Sequence, residues 1–324
     1  MTAAARPRPV VIDTDPGIDD ALALMLACRS PELCVKLITT VAGNVPVPMA
    51  TANVRRVLAL LALSGWPVVA QGLGRPLHRP LYTATAFHRH DGLGGVTHLR
   101  HPDGSPCYPV PKQPAAHRQA VQYLLQVVQR CGRDLTIIAL GPLTNIARAI
   151  QLAPALMQQL GRLVIMGGAI GVPGNVTPVA EFNIFVDPHA ADVVFRAGLP
   201  ITLVPLDVTT QVRLTRDFLQ HAGQGSATPL MAAVHDLTQQ SLHRHGESIA
   251  LHDPLAVAVA IDPSLVTCTT LPVCTETRGL HTIGMTMADR RPSAYWRSDM
   301  PRLEVALAVD TPRVLKLFAT RVLT

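Results

Sequence analysis

A chain of 324 residues with 48% hydrophobic and 15% charged residues excludes a disordered protein and is long enough to bury a large core. The net charge of +6 raises the possibility of nucleic acid as a partner. The basic residues are scattered without a run of five, however, and aromatics at 4% leave little for bases to stack on, which argues against it.

Residues 1–9 read as a flexible N-terminal tail without the apolar region of a signal peptide, and residues 10–324 as one domain. With no apolar run of about 18 residues, this composition predicts a cytoplasmic protein with no membrane partner. Six cysteines, at 28, 34, 107, 131, 268 and 274, form no C-x-x-C pair and read as reduced, which speaks against zinc.

The first strand-like run, Val10 to Ile12, leads into Asp13-Thr14-Asp15-Pro16-Gly17-Ile18-Asp19-Asp20 and then a helical pattern, Ala21 to Ala27. Four carboxylates in eight residues repel one another unless a cation sits among them, and hard cations take oxygen ligands of this kind. Helix capping by Asp19 and Asp20 is the plainer reading.

Further strands are expected at Val35 to Ala42, Trp66 to Ala70, Leu135 to Leu140, Leu163 to Met166 and Ile201 to Pro205. Helices are expected at Met49 to Leu63, Ala115 to Cys131, Pro142 to Leu152 and Pro188 to Ala197. Gly72 to Lys112, rich in Pro, Gly and His, is long enough to be a functional loop. Leu214 to His245 is helical and polar, and His252-Asp253-Pro254 opens an apolar helical stretch. Val257 to Ile261, a β-rich stretch near Val266 to Thr277 and a closing helix, Thr311 to Arg321, complete the chain. Repeated βα units predict an α/β fold: a single-domain, Rossmann-like open sheet, mostly parallel, with helices on both faces.

Polar residues without an obvious structural reason follow these strands. Gly43-Asn44, Gly141-Pro142-Leu143-Thr144-Asn145, and Gly167-Gly168 with Asn175, Glu181, Asn183 and Asp187 would all share the sheet edge that carries the acidic turn. Six motifs, Asp13-Thr14-Asp15-Pro16-Gly17-Ile18-Asp19-Asp20-Ala21, Gly43-Asn44, Leu140-Gly141-Pro142-Leu143-Thr144-Asn145-Ile146-Ala147, Val164-Ile165-Met166-Gly167-Gly168, Pro178-Val179-Ala180-Glu181-Phe182-Asn183 and His252-Asp253-Pro254, resemble the inosine-uridine-preferring nucleoside hydrolase family over nearly the whole chain.

The resemblance implies calcium-dependent hydrolysis of the N-glycosidic bond of ribonucleosides by a homodimer or homotetramer. It assigns Ca²⁺ to the carboxylates of Asp15, Asp20 and Asp253 and to the backbone carbonyl of Leu140, where relatives often carry Thr or Val. Asp19 would be the general base for a calcium-bound water, and Asp13 would orient its neighbours. Asn44, Asn175, Glu181 and Asn183, together with Asp15 and the metal, would hold the ribose hydroxyls, with Met166 and Phe182 lining the ribose or base pocket. His252 would assist the departing base by proton donation or hydrogen bonding, its ordinary pKa near 6.5 permitting either. His88 resembles a second family histidine, although Arg89 follows it where Gly is usual. Gln240, His243, Arg244 and His245 occupy the region where relatives differ in base preference. The two alternatives are a non-catalytic nucleoside-binding protein and a phosphatase of the haloacid dehalogenase type.

Overall fold

Three adjacent apolar residues, Val10, Val11 and Ile12, each fully shielded from solvent, put β1 (Arg8–Thr14) at the centre of a sheet covered on both faces. The computed structural model describes residues 6–112, 117–222, 228–244, 246 and 248–324. The strands that follow are β2 (Leu33–Thr40), β3 (Val68–Gln71), β4 (His117–Arg118), β5 (Thr136–Ala139), β6 (Arg162–Met166) and β7 (Ile201–Val204). Then come β8 (Arg213–Thr215), β9 (Ser248–Ala250), β10 (Val266–Thr275), β11 (Thr286–Ala288) and β12 (Arg302–Val309).

Among the described residues, ten strands form one sheet in the order β11-β10-β12-β7-β6-β5-β1-β2-β3-β4, while β8 and β9 make a separate antiparallel pair. All neighbours from β4 to β12 pair in parallel, and β10 is antiparallel to both β12 and β11. Helices pack on both faces and divide the core into two apolar clusters, one on each side of the sheet. This is the open, mostly parallel α/β sheet expected from the repeated βα pattern.

From β1 the chain winds outward through β2 to β4, then returns beside β1 as β5 and winds the other way. The chain therefore diverges between β1 and β5, where open α/β sheets form a ligand crevice at the strands' carboxyl ends. Both the acidic turn and Leu140 leave the sheet at that point.

Several boundaries differ from the sequence reading. β1 starts at Arg8 and not at Val10, because Arg8 and Pro9 already pair with Leu33 and Cys34; residues 1–5 lie outside the described residues. The helix expected from Ala115 begins at Ala120, after the short edge strand β4; Ala115 itself lies outside the described residues. Leu214 belongs to β8, and two helices, Arg216–Ala222 and Pro229–Arg244, replace one continuous helical stretch; His245 lies outside the described residues. Val257 to Ile261 is the second half of the helix His252–Ile261. β12 was not anticipated: it alternates buried and exposed positions beside β7 instead of forming an apolar run.

Candidate active site

A cavity of about 370 Å³ opens above the β1 and β5 ends. Eleven of the thirteen residues singled out from sequence line it: Asp19, Asn44, His88, Leu140, Met166, Asn175, Glu181, Phe182, Asn183, His252 and Asp253. The other two, Asp15 and Asp20, are completely buried beside it.

The acidic turn is built by the start of the helix Ile18–Cys28. Asp20, in its first turn, accepts hydrogen bonds from Thr14 Oγ1 at 2.5 Å, Gly17 N at 2.9 Å, Asn44 Nδ2 at 3.1 Å and Asp15 N at 3.3 Å. Asp15 Oδ2 accepts from Asn44 N at 2.6 Å, whereas its Oδ1 is buried without a hydrogen-bond partner. That oxygen lies against Gly141, where an added Cβ would come within 2.4 Å of it, so the backbone after β5 must approach bare.

Asp19, Asp20 and Asp253 each place a carboxylate oxygen so that all three lie within 4.8 Å of one another. Asp253 enters from the first turn of the helix His252–Ile261, which packs against Ile18–Cys28, so two helix N-termini face the cluster.

Burial, and then the Asp20 charge, hold the Asp15 carboxyl well above the usual carboxylate range. The same two causes lift Asp19 to about 7, and burial followed by the charges of Asp19, Asp20 and Asp15 raises Asp253. Burial also raises Asp20, opposed by its hydrogen bonds. The charged groups acting most strongly on these carboxyls are other acids. An all-oxygen donor set, an orphaned buried Asp15 oxygen and mutual repulsion together fit a hard divalent cation.

Asp13 lies below, completely buried. Thr39 Oγ1 at 2.5 Å and Asn145 Nδ2 at 2.7 Å donate to it, and burial lifts its carboxyl to about 6 despite them.

The amides facing the cavity have one end committed each. Asn44 spends its Nδ2 on Asp20, which leaves Oδ1 as an acceptor. Asn183 spends Nδ2 on the carbonyls of Leu140 at 2.7 Å and Met166 at 3.2 Å, again leaving Oδ1. Asn175 is the reverse: its Oδ1 accepts from Phe182 N at 2.9 Å, so its Nδ2 remains a donor. Glu181 caps the helix Phe182–Val186, its carboxylate accepting from the backbone N–H groups of Gly168, Asn183 and Ile184 at 2.8 to 3.1 Å.

His88 comes from the loop expected to be functional. Its Nδ1 accepts from Ile18 N at 3.1 Å, with its ring against Gly17, where an added Cβ would stand 2.6 Å from Cε1. His252 is half-buried, and its Nδ1 lies 2.7 Å from Thr209 Oγ1. Burial, reinforced by the Arg213 charge, pushes its pKa down to about 4 rather than leaving it near 6.5. It is a neutral imidazole at neutral pH.

Sequence reading missed Tyr82 and Phe87, exposed aromatics on the cavity wall, and Thr209 behind His252. The aromatics stand within the irregular Gly72 to Lys112 loop; Thr209 carries no sequence signal at all. His243 and Arg244 are exposed and stand off the cavity, and Gln240 accepts from Arg89 Nη2 at 2.8 Å. Arg89 takes φ of 67°, a left-handed backbone that explains why Gly suits the position.

A family model described as inosine-uridine preferring nucleoside hydrolase matches residues 10–316. A probable uridine nucleosidase of Arabidopsis thaliana is 36% identical over 330 residues, covering 98% of each chain. A solved plant nucleoside hydrolase superposes with a TM-score of 0.86 at 35% identity, over 98% of this chain and 99% of its own. A purine-preferring ribonucleoside hydrolase from Gardnerella vaginalis superposes with a TM-score of 0.83 at 32% identity, over 98% of both chains.

Proposed function

The chain belongs to the inosine-uridine preferring nucleoside hydrolase family and is a ribonucleoside hydrolase, and from that premise we propose that it uses calcium, Asp19 and His252 to split the N-glycosidic bond. The observation that carries this reading is the acidic cluster: Asp19 faces the cavity while Asp15 and Asp20 are sealed behind it. The phosphatase and the non-catalytic binder considered from sequence do not apply to a member of this family.

In the proposed reaction, the ribose is held by groups of opposite sense. The free oxygens of Asn44 and Asn183 and the Glu181 carboxylate accept from its hydroxyls, and Asn175 Nδ2 donates. Such anchoring orients the ring and disfavours analogues that lack a hydroxyl. Asp15, Asp20, Asp253 and the Leu140 carbonyl would hold Ca²⁺, which supplies charge to keep the acids ionised and to acidify a neighbouring water.

Asp19 removes a proton from the attacking water as its oxygen bonds to C1′ and the C1′–N bond breaks toward the base. His252, neutral in this environment, helps by donating a hydrogen bond to the departing base instead of arriving as a charged acid. His88, Met166 and Phe182 shape the ribose and base pocket. The named relatives include a probable uridine nucleosidase and a purine-preferring ribonucleoside hydrolase, so both base classes belong in the test.

A panel of inosine, guanosine, adenosine, uridine and cytidine assayed for free ribose tests the reading. Ribose release should stop on chelation and return with calcium, and release that ignores chelation would overturn the metal's role. Assembly as a homodimer or homotetramer is part of the same proposal and is read by sedimentation.

A further inference from the structure

We infer that Thr209 is a positioning residue that fixes His252 as the tautomer with its hydrogen on Nε2, so that the imidazole offers a donor to the leaving base. The inference rests on the proposed role of His252. It starts from a count of donors. Thr209 is completely buried, and its hydroxyl has one hydrogen-bond partner among the described residues, His252 Nδ1 at 2.7 Å. A hydroxyl carries one hydrogen and must place it somewhere. If Nδ1 bore the imidazole hydrogen, it would donate to Thr209 Oγ1 and leave the hydroxyl hydrogen buried without an acceptor. If Thr209 donates to Nδ1, the hydroxyl hydrogen and Nδ1 satisfy each other and the hydrogen of the ring resides on Nε2. The penalty for a buried unpaired donor favours the second arrangement by about 5- to 150-fold.

The backbone holds both partners in place. Thr209 ends the short helix Leu206–Thr209 at the exit of β7, where Leu206 N donates to Gly168 O at 2.9 Å and Thr209 N to Pro205 O at 3.1 Å. The segment leading into His252 is tied to the same turn, since Leu251 N donates to Val212 O at 2.8 Å. With Nδ1 taken by Thr209, the nitrogen that His252 has left for the cavity is Nε2. The chemistry this suits is a leaving group with an acceptor, a purine ring nitrogen or the O2 of a pyrimidine, which gains electron density as the glycosidic bond breaks. A nitrophenolate leaving group is stable without such help.

The native protein, loaded with ¹⁵N-histidine and calcium, provides the first test at neutral pH. The His252 signals, identified by their loss in His252→Gln, should show an unprotonated Nδ1 and a protonated Nε2; the opposite tautomer would overturn the inference. Turnover provides the second. Thr209→Val should lower the ratio of inosine or uridine cleavage to nitrophenyl riboside cleavage by about 10- to 100-fold, with Thr209→Ser restoring it. An unchanged ratio in Thr209→Val would mean that Thr209 serves the fold alone. If the native protein releases no ribose from any nucleoside, the proposed reaction fails, and the nitrogen signals still decide the tautomer.

Discussion

Asp19 is the residue on which binding and chemistry separate. Asp19 lines the cavity, and its removal takes away the proposed proton acceptor while the proposed calcium ligands Asp15, Asp20 and Asp253 remain. Asp19→Ala should keep its calcium and its nucleoside affinity while kcat falls about 10²- to 10⁴-fold. Loss of the metal in that variant would instead make Asp19 a ligand. His252→Ala should harm inosine and uridine at least about tenfold more than a nitrophenyl riboside, because only the natural bases need a hydrogen-bond donor to leave. Equal losses on both would assign His252 to sugar placement. The acids at this scale could be read from sequence because they crowd into one turn, where mutual repulsion demands an explanation. Thr209 could not, because an isolated threonine acquires its role only through a partner 43 residues away.

Strand exits are the elements that make the site. Asn145 binds three of them together: it donates to Asp13 of β1 and to the Thr40 carbonyl of β2, and accepts from Leu73 N just past β3. Asn145→Ala removes all three bonds, two of them buried and one partly buried, and should destabilise the protein by roughly 3 kcal/mol in urea unfolding, at about 1 kcal/mol per bond. A change below about 0.5 kcal/mol would mean that these exits are held by packing alone. The strands β1, β2, β5, β6 and β7 stand out in sequence because each carries a short apolar run that the helices on both faces cover. β12 alternates and β4 spans two residues at an edge, so neither produces such a run. The loop between β3 and β4 could be marked as functional from its composition, but the places of Tyr82 and Phe87 depend on long-range folding.

For the molecule as a whole, the buried acids set the response to pH. The Asp13 carboxyl, at about 6 in the folded chain against 3.8 in the open chain, binds its proton more tightly when folded. Its stabilising contribution is therefore present below about pH 4 and disappears as pH rises through about 6, a difference on the order of 3 kcal/mol. Asp19 extends the same trend to about pH 7. Metal-free protein should thus lose thermal stability between pH 4 and 7. Calcium favours the ionised acids, so the gap in Tm between calcium-loaded and chelated protein should widen from pH 5 to 8. A gap that narrows would contradict a cation bound by this cluster. The mostly parallel, open character of the sheet was accessible from the alternation of elements; its strand order, with β1 at the point of divergence, and the burial that drives these shifts were not, because both depend on segments far apart in the chain.

The distance along the chain between Asp15 and Asp253 also imposes a timetable. During synthesis the acidic turn emerges early, whereas the helix that completes it follows more than two hundred residues later. A nascent chain therefore carries the residues proposed to bind the sugar well before it can cleave anything. Activity should switch on in a single late step, and chains stopped before His252 should be inert, however well their central strands have paired.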